Sequence, residues 1–137
     1  MNLVLTIEIA AAALIISAGA GGPITAWILR LASRKHREEA AERAGDPTGE
    51  PRPDPAAEQL RGGAWIGVLE RLAITGSILV GYPAAIAVVV AVKGLGRFPE
   101  IHGSSGVSER FIIGTLASYL WAGTIGVAAV AALGALP

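Results

Sequence analysis

Cysteine is absent from this chain of 137 residues, which rules out disulfides, thiolate metal sites and thiol nucleophiles together. Histidine is almost as scarce. His36 and His102 are isolated from one another, which gives metal binding little to work with, so no metal site and no cofactor is expected. Charge is sparse as well, at 16% Asp, Glu, Lys and Arg where soluble chains carry roughly a quarter, and the formal net charge is zero. That average misleads, because placement matters more than the sum; in the basic cluster after Arg30 it is the interleaved Glu38, Glu39 and Glu42 that argue against nucleic acid. The motifs of common catalytic sites are missing too. There is no G-x-S-x-G elbow, no P-loop and no H-E-x-x-H, and Gly94-Leu95-Gly96 lacks the third glycine of a dinucleotide fingerprint. His102 beside Ser104 has no third group to orient it, so it is read as a loop residue and the chain as a non-enzyme.

What remains is a chain that is 53% hydrophobic, with 18 glycines. Leu3 to Ile28 is the first apolar run, longer than the roughly 20 residues that cross a bilayer. No basic segment precedes it, as a signal peptide would require. Arg30, Arg34, Lys35 and Arg37 follow it instead, which predicts an uncleaved anchor with its N-terminus outside. Within this run Ser17 to Gly22 forms a small-residue patch ending at Pro23. Either another helix approaches closely there, at Gly19 and Gly22, or Pro23 simply kinks the helix.

From Arg30 to Ala44 opposite charges stand four apart, as in Arg34 and Glu38 or Lys35 and Glu39, predicting a helical extension that stops at Gly45. Asp46 to Pro55 is too rich in proline for regular structure and reads as a linker. A short surface helix, Ala56 to Arg61, is expected to lead through Gly62-Gly63 into the membrane. Three parts follow: residues 1–45 as an N-terminal transmembrane helix with its extension, 46–63 as linker and juxtamembrane segment, and 64–137 as a three-helix membrane domain.

The stretch from Trp65 to Phe98 admits two paths. Length favours one crossing over residues 72–92, kinked at Pro83. Charge favours a short hairpin over residues 64–98 that turns at Gly81-Tyr82-Pro83. With the hairpin, all eleven Lys and Arg residues lie on one side of the membrane. The hairpin is the expectation adopted here. A last crossing from about Phe111 to Leu133 carries Gly114, Ser118 and Ala122 four apart, a face small enough for close helix contact. The expected fold is therefore all-α, with four transmembrane helices, both termini outside an inner membrane and the charged loops in the cytoplasm.

Folding the hairpin about Tyr82 sets Glu70, twelve residues before it, level with Lys93, eleven after. Arg71, Arg97, Glu109 and Arg110 complete a cluster of six charges expected at the inner leaflet. That cluster is either a set of interfacial ion pairs that fix helix ends, or a site that handles ions or small anions.

Three segments carry a resemblance. Gly63-Ala64-Trp65-Ile66-Gly67-Val68-Leu69-Glu70-Arg71, Ala91-Val92-Lys93-Gly94 and Ile113-Gly114-Thr115 with Ser118 are similar to the W-I-G-x-L-E-R, A-x-K-G and I-G-T-x-x-S pattern of a family of small bacterial integral membrane proteins of unknown function, itself like the C-terminal half of a longer membrane family. The likeness spans Gly63 to about Trp121. Members of that family often have serine where this chain has Gly94, and a polar pair where it has Tyr82-Pro83. The resemblance implies a membrane protein and names no reaction or ligand. From the residues, the expected role is a small membrane scaffold or accessory subunit. It would work by helix association in the lipid bilayer, as a homo-oligomer or within a larger membrane complex. The alternative is an oligomeric channel or carrier built on Glu70 and Lys93.

Overall fold

A computed structural model describes residues 3–44, 56–96 and 105–136, with the backbone alone for 33–44, 56–62 and 105–108. Every element among the described residues is helical: α1 Leu3–Ala44, α2 Ala56–Leu79, α3 Ala85–Gly96 and α4 Ser105–Gly134. The 46–55 linker, Arg97 and the centre of the loop expected before the last helix lie outside the described residues. Helices α1, α2 and α4 pack against one another in all three pairings, and α3 lies against α2.

The break between α2 and α3 has a local cause. Gly81 has φ of +75°, a conformation that residues with a Cβ rarely adopt. Its N–H donates to the Ile78 carbonyl (3.0 Å), and the Tyr82 N–H donates to the Ser77 carbonyl (2.8 Å). This pair of bonds is the Schellman ending of a helix, with glycine at its left-handed position. Pro83, which has no N–H to lose, then starts the next helix, whose first bonds run from Ala85 to the Tyr82 carbonyl and from Ile86 to the Pro83 carbonyl.

Elsewhere the chain is more continuous than its glycines suggest. The segment at Ala56 joins α2 without interruption through Gly62-Gly63. A glycine pair weakens a helix interior by only about 1 kcal/mol per residue, which packing readily offsets. Likewise α1 runs through Pro23 to Ala44, and α4 begins at Ser105, a turn and a half before Phe111.

Two helical stretches are long and apolar enough to cross a membrane: Leu3–Ala32, with mean hydropathy 2.2, and Glu109–Gly134, with 1.7. Four such spans are not supported: among the described residues α3 and α2 fall short of that test, each for its own reason. At twelve residues α3 extends about 18 Å, short of a ~30 Å hydrocarbon core. The apolar part of α2 is interrupted at its centre by Glu70-Arg71.

Packing follows small residues at every fourth position. Ala13, Ser17 and Gly21 form the inner edge of α1, and Ser118, Ala122 and Gly126 that of α4; all six are buried. Between them α2 presents Arg71, Ile74, Thr75 and Ile78. A Cβ on Gly126 would lie only 3.0 Å from Ile78 Cδ1, and one on Gly114 would lie 3.4 Å from Leu29 Cδ1, so both glycines set the distance between helices. The resulting interior is polar: among the described residues Ser17, Glu70, Arg71, Thr75, Ser77 and Ser118 are buried, against four buried apolar side chains. The exterior is the reverse. Ile7, Ile15, Trp27, Leu69, Val88 and Leu120 are among many large apolar side chains left exposed, and a shallow apolar groove runs along α4 beside Leu116, Leu120, Gly123 and Val127.

Candidate functional site

The buried polar side chains form two linked groups at one level of the bundle. In the first, Thr75 Oγ1 donates to the Ala122 carbonyl of α4 (3.0 Å). Its single proton is then committed, so at the 2.7 Å contact between Ser17 Oγ and Thr75 Oγ1 the serine must be the donor. One threonine thus joins α1, α2 and α4. Replacing Thr75 with valine keeps the shape but leaves Ser17 with no acceptor. The expected loss is about 1–2 kcal/mol, measured by unfolding in detergent, and a further Ser17→Ala change should then add almost nothing.

Arg71 lies one turn below. Its Nη1 donates to Ser118 Oγ (3.2 Å) and its Nη2 to the Ala18 carbonyl (3.0 Å), so the guanidinium also bridges all three helices. Space for this side chain comes from glycine. A Cβ on Gly21 would collide with the Arg71 stem, and one on Gly67 would lie 3.2 Å from Nη1. The small-residue patch of α1 is therefore a slot for an arginine as well as a surface for a helix.

The second group joins α2, α3 and α4. Lys93 Nζ of α3 donates to Glu70 Oε2 at 2.5 Å, with the lysine and glutamate side chains 14% and 8% exposed. The ammonium also lies 5.6 Å from the centre of the Phe111 ring and 5.4 Å from that of Tyr119, both on α4. Cation–ring attraction of this kind adds roughly 0.5–2 kcal/mol. Through this lysine the short α3 is tied both to α2 and to α4.

Of the six charges considered together, Glu70 and Lys93 form a pair, and Arg71 adjoins them in sequence but hydrogen-bonds to Ser118 and Ala18 instead. Glu109 and Arg110 are exposed at the start of α4, about two turns before Ser118, and Arg97 lies outside the described residues. The level of the trio is also not that of the helix ends. Ala18 stands about midway between Leu3 and Ala32, roughly 20 Å from either end at 1.5 Å per residue.

Among the small residues, Gly114, Ser118 and Ala122 lie on the inner face of α4. On α1 Gly22 lies 3.9 Å from Arg71 Nη2, measured from a Cβ position, whereas Gly19 faces open space. Residues not singled out from the sequence contribute as much: Thr75 and Gly67 on α2, Tyr119 and Gly126 on α4. The four-residue spacing of Gly114, Ser118 and Ala122 extends to Gly126 and could have signalled it. Nothing comparable marked Thr75 or Tyr119.

No group of three or more metal-binding side chains occurs among the described residues. The site is a set of polar and charged locks inside a helical bundle with an apolar exterior. Comparison of the chain with family models, with curated proteins and with solved structures finds no match.

Proposed function

We propose that this chain is a multi-pass membrane scaffold or accessory subunit of the family it resembles, acting through helix association in the bilayer. The observation that carries this reading is the inverted bundle, with charges and hydroxyls inside and large apolar side chains outside. In water such a surface would exceed what a soluble monomer leaves bare. In lipid it is the expected exterior, and the polar groups become the cross-links between helices. Lipid, and a second copy or a larger membrane complex, are the partners that suit the exposed faces, among them the open surface at Gly19 and the groove along α4.

Heights along the bundle support the placement. Taking the level of Arg71 and Ala18 as the midplane, Tyr82 lies eleven residues above, about 16 Å, near the edge of a ~30 Å core. Trp27 and Trp65 lie below it by about 14 and 9 Å, and all three aromatic side chains are exposed. Aromatic residues favour interfacial depths, which Tyr82 and Trp27 reach, whereas Trp65 lies about 6 Å inside the core edge. The cations of Arg30 and Arg110 fall on the lower side. Here α2 and α3 form a hairpin whose tip reaches the outer surface, with both chain termini outside and the charged loops on the cytoplasmic side of an inner membrane.

A second reading, an oligomeric channel or carrier for ions or small anions, is favoured by the depth of Glu70, Lys93 and Arg71. Charges at mid-height cannot reach headgroups, and such residues often mark a conduction path. Reconstitution separates the two. The scaffold reading expects liposomes containing the purified protein to pass neither protons, potassium nor chloride above the empty-vesicle rate. Flux abolished by Glu70→Gln or Lys93→Ala, with assembly intact, would establish the channel instead.

A further inference from the structure

We infer that α3 is a hinged arm, held to the rest of the bundle by the Lys93–Glu70 pair and free to swing into lipid when that pair is broken. The inference goes beyond both readings of function and needs only a lipid exterior. It starts from what α3 lacks. The other three helices each bury side chains: Ala13 and Ser17 on α1, Ile74 and Thr75 on α2, Ala122 and Ala129 on α4. Helix α3 buries none. Ile86, Val89 and Lys93 are half-buried, while Val88, Val92 and Leu95 are 63%, 65% and 79% exposed. Among the described helices α3 packs appreciably only against α2. Nor does it approach by glycine. A Cβ on Gly94 or Gly96 would meet nothing within 4 Å, whereas Gly21, Gly114 and Gly126 each receive a side chain from a neighbouring helix.

The surrounding medium decides what so shallow a contact contributes. In water, half-burying Ile86 and Val89 would favour the closed position. In lipid it hardly does, because acyl chains are as apolar as the side chains of α2. Helices there are held by close packing and polar contacts instead. Close packing is absent, and Lys93 is the one polar side chain in Ala85–Gly96. Its ammonium meets Glu70 Oε2 at 2.5 Å and stands over the Phe111 and Tyr119 rings of α4. One side chain therefore decides whether α3 stays closed.

Both ends of α3 permit the movement. At the upper end the turn at Gly81, with φ of +75°, interrupts the helical ladder, so α2 and α3 are separate rods joined at a point. At the lower end the nine peptide steps from Gly96 to Ser105 reach up to about 30 Å, which does not pin α3 to α4. Gly94 and Gly96 also weaken the last turn. Once released, Lys93 can draw that end toward the cytoplasmic headgroups, where its ammonium is better solvated.

The chain has no cysteine, so paired spin labels report on α3 without background. One chain in lipid nanodiscs carries labels at Ile15→Cys and Leu95→Cys, both exposed positions, on α1 and α3. A second carries Ile15→Cys and Leu120→Cys as a control between α1 and α4. Pulsed EPR should give one narrow distance for each pair when Glu70 and Lys93 are intact. Glu70→Gln should add a longer Ile15–Leu95 component, raising the open-to-closed ratio about a hundredfold, the effect of breaking a buried pair. The Ile15–Leu120 distance should stay as it was. Restoring the pair in reversed sense, Glu70→Lys with Lys93→Glu, should return the narrow Ile15–Leu95 distance. An Ile15–Leu95 distance unchanged in Glu70→Gln would show that packing alone holds α3. Broadening of both label pairs together would show that the ion pair holds the whole bundle and that α3 is no independent arm. A longer component that persists with the reversed pair would show that charge pairing is not the latch. Any of these results overturns the inference.

Discussion

Glu70→Lys is expected to destabilise the bundle by about 3–5 kcal/mol, and adding Lys93→Glu to recover most of that loss. The size follows from burial. Removing one partner of a buried pair leaves the other charge with neither water nor counterion, and reversal also brings two ammonium groups together beside Arg71. Among the described residues Lys93 pairs with no second carboxylate, and its ammonium otherwise faces the rings of Phe111 and Tyr119. Their attraction, roughly 0.5–2 kcal/mol, does not replace an ion pair. In the double variant the pair is restored with its sense reversed, at the cost of the ring contacts, so recovery should be large but incomplete. Unfolding midpoints of the wild-type protein, both single variants and the double variant form a complete cycle. Additive losses in the double variant would show that the 2.5 Å contact contributes no coupling.

Gly21→Leu should be nearly as damaging, with a loss of at least about 3 kcal/mol, while Gly19→Leu two residues away should change monomer stability by less than about 0.5 kcal/mol. The contrast is between two glycines of the same patch. A side chain at position 21 occupies the place of the Arg71 stem and must expel the guanidinium from its hydrogen bonds to Ser118 and Ala18. One at position 19 meets open space. Any effect of Gly19→Leu should therefore appear in self-association, read by crosslinking in membranes, and not in the unfolding midpoint. Equal midpoints for the two variants would remove the arginine slot from this account.

Helices and their breaks were largely legible in the sequence because their causes are local. Gly81 ahead of Pro83 lets α2 end in a left-handed residue and the chain restart a helix within a few positions. The level match of Glu70 and Lys93 followed from counting along a hairpin. Their depth did not, since counting from Tyr82 fixes relative height and gives no distance from either end of α1. Gly62-Gly63 misled because glycine weakens a helix without forbidding it. The role of Arg71 was hidden for a different reason: its side chain is received by Gly21, Ala18 and Ser118, and those positions are brought together only by three helices packing at once. Thr75 is similar, an ordinary threonine in an apolar stretch until Ser17 and Ala122 meet it.

The absence of native cysteine makes the decisive measurement clean, because a single introduced thiol has no background. Cysteine is placed at Tyr82 in one chain and at Ser104 in another, and each is exposed to a membrane-impermeant maleimide in intact cells and in inverted vesicles. A hairpin whose tip reaches the outer surface predicts that Tyr82→Cys labels in intact cells and Ser104→Cys only in inverted vesicles. Labelling of both from the same side would contradict it.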